Sequence, residues 1–169
     1  LVFSLNQLTN IDIPKTVTSI GSSAFNGNLL NDDQAIIYAR NQDGSEDKTT
    51  IVSYGGKNKD VVVPDGVTSI NRYAFYDSKI NSVILPEGLE TIGENAFSGN
   101  FLETVTIPKS VKKIITSAFL SNNLKSVIIK GKSSSSEFTT YSPSWGWNKD
   151  ITCSKDNTSN TPNGCITWE

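Results

Sequence analysis

The 169-residue chain carries 15 Lys and Arg against 17 Asp and Glu, a formal charge of −2, and no histidine. That balance argues against nucleic acid or an anionic membrane surface as a partner. The lack of histidine removes the commonest general base, Ser-His-Asp triads, papain-like Cys-His pairs and histidine metal sites, and no stretch reaches the ~20 apolar residues of a membrane span.

Taken from its start, the chain opens inside a repeat. Phe3, Asn6 and Leu8 match Phe25, Asn28 and Leu30 on a 22-residue step, so at least one more repeat is expected upstream of Leu1. The first whole copy runs from Ile11-Asp12-Ile13-Pro14 through Val17 and Ile20 to Ala24-Phe25 and Leu30. The two isoleucines before the proline alternate with a polar residue, which predicts a short strand with one buried face. Pro14 ends the strand because it offers no N–H to a ladder.

The next proline is due near position 36, but the chain departs from the repeat over about 31–60. Ile36-Ile37-Tyr38 and Ile51-Val52-Ser53-Tyr54 predict two strands, with Asp43-Gly44-Ser45 supplying the turn between them. The expectation is a β-hairpin that projects from the solenoid or caps one side of it. Gly55-Gly56 is too short to cradle a phosphate and reads as a strand end.

From Val61 the repeat is regular. Pro64, Pro86 and Pro108 are 22 residues apart, as are Ala74-Phe75, Ala96-Phe97 and Ala118-Phe119. A fixed period of this length means a solenoid of stacked coils. Strands are predicted at Val61–Val63, Val83–Leu85, Val105–Ile107 and Val127–Ile129, parallel and side by side. Pro64-Asp65-Gly66 and Pro86-Glu87-Gly88 suit type I turns with proline second and glycine fourth. Three and six residues past the proline, Val67 and Ile70, Leu89 and Ile92, and Val111 and Ile114 predict a second extended piece with a bend. Gly21, Asn71 and Gly93 follow it and would tolerate positive φ; Ile115 breaks that rule.

Phe3, Phe25, Phe75, Phe97 and Phe119 are expected to stack as one spine, each burial contributing about 1.5–3 kcal/mol. Three residues on, Asn6, Asn28, Ser78, Asn100 and Asn122 make a polar ladder for backbone groups that lack a sheet partner. Leu30, Ile80, Leu102 and Leu124 close the coils. The solenoid is placed at 1–132.

Beyond it the repeat degenerates, with Ser133 and Ser136 at formerly apolar positions. Residues 133–169 hold Phe138, Tyr141, Trp145, Trp147 and Trp168 and read as a C-terminal aromatic cap over the last coil; an aromatic cluster that stacks on carbohydrate is the other reading. Cys153 and Cys165 are 12 positions apart with no histidine or third cysteine to complete a zinc site. A disulfide between them is the preferred reading, two free thiols the other; a disulfide implies an oxidising, exported setting.

The segments LTNIDIPKTVTSIGSSAFNGN, VVVPDGVTSINRYAFYDS, NSVILPEGLETIGENAFSGN and ETVTIPKSVKKIITSAFLSN resemble the BspA-like leucine-rich repeats of bacterial and protist surface proteins. The resemblance covers about two thirds of the chain and rests on buried positions. It implies a mostly β leucine-rich-repeat solenoid, an extracellular or cell-surface location, and adhesion or contact with a protein or glycan ligand. It brings no catalytic motif.

For function, the residues therefore point to a non-catalytic binding module, with a structural spacer that displays another domain as the alternative. No cofactor site is read, and no EF-hand spacing occurs for calcium. Strand residues two before each proline point outward as Asp12, Val62, Ile84, Thr106 and Ile128. Val62 and Ile84 are apolar neighbours, so a cover is expected: the hairpin over Val62, with Ile84 left open and Ile128 against the cap. Val62, Ile84 and Thr106 form the candidate partner face, with Tyr38, Tyr54, Tyr73 and Tyr76 as aromatic anchors.

Overall fold

A computed structural model describes residues 2–141 and 166–169. Each regular coil contributes one strand to each of two parallel ladders. The first ladder holds β3 (Asp60–Val62) beside β5 (Ser82–Ile84), then β7 (Thr104–Ile107) beside β9 (Ser126–Ile129), which pairs in turn with β11 (Ile166–Trp168). The second holds β1 (Ile36–Arg40), β2 (Glu46–Tyr54), β4 (Ser69–Ile70), β6 (Thr91–Ile92), β8 (Lys113–Ile114) and β10 (Thr140–Tyr141), in that order. The register is the sequence period: Val61 pairs Val83, Val105 pairs Val127, and Ile70 pairs Ile92, which pairs Ile114. The repeat strands are parallel, as expected, but no ladder pairing joins β5 to β7, so the first ladder is two sheets.

The local chemistry differs from the sequence reading in two places. The N–H of the residue three past each proline donates to that proline's carbonyl, as in Val67 to Pro64 and Leu89 to Pro86. Proline is thus first in its turn, and Gly66, with φ of 91°, is third. Positive φ falls not on Asn71 or Gly93 but on the residue before each Ala-Phe pair, Ser23, Tyr73, Asn95 and Ser117, and again four residues later at Gly27, Asp77, Gly99 and Ser121. Ile115 therefore breaks no rule. Gly93 is needed for close approach instead: a Cβ there would meet the Arg72 nitrogen at 2.6 Å.

The two left-handed residues give the third side of each coil its own bonding. Tyr73, Phe75 and Asp77 donate N–H to Glu94, Ala96 and Ser98 of the next coil, while Ala74 and Tyr76 bond back within the turn. The backbone there has neighbours after all; the asparagines satisfy what is left. Asn100 Nδ2 donates to the carbonyls of Phe75 and Phe97, and its Oδ1 accepts from Ile80 N–H; Asn122 does the same one coil on.

Phe75, Phe97 and Phe119 are fully buried and stacked, with centroids 4.8 and 5.2 Å apart. The spine is not continuous to Phe25. Tyr54 stacks on Phe75 at 5.1 Å, and Phe25 pairs with Phe3 at 5.3 Å in a separate cluster with Leu30, Ile37 and Val52. The hairpin of β1 and β2 is antiparallel, as read. It neither projects nor covers a face: β2 pairs with β4 and occupies the gap between the first coil and the second. Its turn is seated on the first coil, where a Cβ on Gly44 would overlap the Lys15 carbonyl.

That insertion removes the strand partner of Ile11–Ile13, which forms no strand. The Gln34 amide stands in, accepting from Ile11 N–H and donating to Ile11 O. Asn26 ties the three pieces together. Its Oδ1 accepts from Ser53 Oγ and Tyr54 N–H, and its Nδ2 donates to the carbonyls of Tyr73 and Tyr76.

At the other end, Phe138 is buried with the Lys132 ammonium 5.0 Å from its ring centroid, and β10 and β11 add further rungs to the two ladders. Trp168 thus sits in a ladder strand, partly buried against the core. Trp145, Trp147, Cys153 and Cys165 lie outside the described residues.

Candidate functional site

Alternation along each strand decides what the first ladder shows to solvent. Val61 and Val63 are buried and Val62 between them is 63% exposed; Val83 and Leu85 are buried and Ile84 is 64% exposed. Register sets Val62 beside Ile84, and Thr106 beside Ile128, the latter two half-buried. Ile128 lies beside Thr167 of β11. The hairpin was expected over Val62 and is not there, because pairing with β4 holds it on the second ladder. Ile84 is open, as read.

Between β5 and β7, where ladder pairing lapses, lies an open groove of about 320 Å³. Ile84, Leu85 and Glu87 line one side, and Thr106, Pro108 and Ile128 the other, with Lys130 and Glu169 at the margin. Charge is unevenly placed along this face. Asp60, Asp65 and Glu87 are exposed on the β3 and β5 coils, and Lys109, Lys125 and Lys130 on the β7 and β9 coils, where Glu103 is paired with Lys125. Lys130 Nζ reaches Glu87 at 3.5 Å across 43 positions of chain.

The tyrosines do not gather on this face. Tyr54 is 2% exposed, and its hydroxyl donates to the Asn58 carbonyl at 2.8 Å. Burial, helped by the Asp32 charge, pushes it up to about 12. It is a spine residue and not a docking anchor. Tyr38 is half-buried against the core; burial and then Glu46 raise its pKa. Tyr73 and Tyr76 form an edge-to-face pair 5.5 Å apart on the third side of the coil, with Tyr76 exposed. The structure sets Val62 beside Ile84 and puts Ile84 and Thr106 on one groove, whereas the tyrosines lie elsewhere on the coils. Sequence reasoning missed Glu87, Pro108 and Lys130, which the 22-residue step would have located, since each is at or one past a proline position.

A second apolar surface lies at the first coil. Val2, Phe3 and Leu5 are exposed there, and Val2 and Phe3 line a groove of about 450 Å³ with Ile11, Ile13 and Ile20. Their equivalents in the later coils, such as Phe75, Val61, Val63 and Ile70, are buried. This surface is the end of the described stack. Among the described residues no group of His, Cys, Asp or Glu could hold a metal ion, and no helix is long and apolar enough to cross a membrane.

The repeat can now be compared with known families. A family model, the BspA type leucine rich repeat region, matches in 6 copies over residues 2–34 and 52–158. The chain belongs to that family. The break between the two matched stretches falls on the hairpin, β1 and the first part of β2. No curated protein and no solved structure matches the chain. BspA-type repeats are typically surface-associated, and leucine-rich repeats are generally non-catalytic scaffolds for protein–protein contact.

Proposed function

We propose that this BspA-type repeat chain is a non-catalytic binding module of an exported or cell-surface protein, acting in adhesion or protein–protein contact. It docks a protein on the outer face of the first ladder, around Val62, Ile84 and Thr106. One observation carries the reading: two large apolar side chains stand open on adjacent parallel strands, in the molecule's most regular region. A repeat kept only as a spacer gains nothing from them, because apolar residues in adjoining exposed strands invite aggregation.

The test is capture of native proteins from an extracellular extract of the source on the immobilised chain. Ile84→Asp is expected to abolish the capture while leaving the melting temperature nearly unchanged, since the side chain is mostly in solvent. Tyr76→Ala, on the third side of the coil, is expected to retain it. Equal capture by wild type and Ile84→Asp removes this face as the site and favours the spacer.

A further inference from the structure

We infer that the docking face is complementary to itself and that its partner is a second copy of this chain. The inference rests on the reading of the first ladder as a docking face and names the occupant.

The argument is one of charge order. Along the ladder the β3 and β5 coils expose Asp60, Asp65 and Glu87, with Lys59 half-buried, and the β7 and β9 coils expose Lys109, Lys125 and Lys130, with Glu103 paired to Lys125. A wholly acidic or wholly basic ligand is drawn to one half and repelled by the other. A partner matches both halves only if its own charges run in the reverse order, and a copy of this face turned about a two-fold axis does so.

The register makes the match specific. Let the axis run parallel to the strands and pass between β5 and β7. Strand direction is kept and rung order is reversed, so β5 meets β7 of the second copy and β3 meets its β9. Residues at equal distance from their prolines then face one another. Ile84 meets Thr106, and Val62 meets Ile128, so each exposed apolar residue meets a half-buried one. Glu87 meets Lys109, each one past its proline. Asp65 meets Gly131, with Lys130 and Lys132 on either side. Lys59 faces Lys125, the first held by the Ser78 carbonyl and the second by Glu103. Every contact occurs twice. The groove between β5 and β7 lies on the axis and receives Ile84 from the other copy. Glu169 lies one rung beyond β9, outside the matched set.

Sedimentation equilibrium over a wide concentration range tests this with the whole chain. The wild type is expected to form a reversible dimer that weakens with salt. Glu87→Lys and Lys109→Glu should each weaken it by at least about 10-fold, because each places like charges in contact twice. The double exchange, Glu87→Lys with Lys109→Glu, should restore it. Glu87→Gln removes the internal pair with Lys130 without adding repulsion and should weaken the dimer less than Glu87→Lys. Ile84→Asp should give a monomer. All three positions tested, Ile84, Glu87 and Lys109, are exposed, and melting curves check that each variant folds. A monomer at every concentration overturns the inference, as does a dimer that the double exchange fails to restore. A monomer that still captures a foreign protein in an Ile84-dependent way overturns the dimer but leaves the docking face standing. A dimer that captures nothing supports the second copy as the occupant.

Discussion

From Val61 to Ile129 each coil lies against at least one regular copy of itself, the first of them with the hairpin on its other side, whereas the coil from Ile11 to Leu30 has the hairpin on one side and half a coil on the other. The same repeat pattern gives different structures in the two places. In the regular region the apolar positions are closed, with Val67, Ile70, Phe75, Leu89, Ile92 and Phe97 fully buried. In the first coil Ile11, Ile13, Val17 and Ile20 are only half-covered, and no strand forms. A coil of this fold holds its shape through its neighbours' hydrogen bonds and side chains, so stability is a sum over interfaces and falls where an interface is irregular.

The largest expected effect exploits that contrast directly. Phe97→Ala should cost about 3–5 kcal/mol, because both faces of its ring are stacked and the cavity cannot collapse. Phe3→Ala, at a ring that is 49% exposed and stacked on one side, should cost well under half of that. Denaturant melts of the two variants measure the difference, and equal losses would remove the distinction between the regions.

Next in size is the polar ladder. Asn100→Ala leaves the Phe75 carbonyl and the Ile80 N–H unpaired in the interior, while the Phe97 carbonyl keeps its bond from Asn122, and should cost about 2–4 kcal/mol. Asn26→Ala should instead act locally. It unties the first coil from the hairpin and from Tyr73 and Tyr76, so amides of 20–54 should exchange faster by hydrogen exchange while those of 83–129 stay protected. Uniform acceleration along the chain would mean that the two hydrophobic clusters unfold as one.

Tyr54 offers a pH test of the boundary. Its folded pKa of about 12 lies above the ordinary value of 10.0, so the folded state holds the proton more tightly than the unfolded one. The associated stability, roughly 2–3 kcal/mol, is fully present below pH 10 and is lost as pH rises from 10 toward 12. Tyr54→Phe should flatten that part of the pH dependence. A profile unchanged by the substitution would place the tyrosine outside the spine. The smallest effect is expected at Lys112, whose pair with Glu90 at 2.8 Å bridges adjacent coils in solvent: Lys112→Ala should cost less than about 1 kcal/mol and less still in high salt.

Much of this architecture was legible from the one-dimensional pattern. The period of 22 placed both strand ladders, the buried ranks and the asparagine ladder, because each of those contacts joins a residue to its equivalent one coil away. Val62 and Ile84 were identifiable as outward-facing neighbours by alternation alone, and Ile84 as open, but the cover expected over Val62 is not there. The hairpin's strands and turn were also readable, since they depend on β-propensity and a local turn. Its place was not. That β2 would pair with β4, that Tyr54 would take a phenylalanine's position, and that Gln34 would serve Ile11 as a strand edge all depend on how a non-repeating segment docks between two coils. The left-handed residues were misplaced for a related reason. Composition points to glycine, but serine, tyrosine, asparagine and aspartate adopt those angles here because hydrogen bonds to the next coil over-determine them. What repeats in sequence was decided by the sequence, through nearest-neighbour stacking; what interrupts the repeat was decided by the packed structure, because only there do the interrupting side chains meet the coils they join.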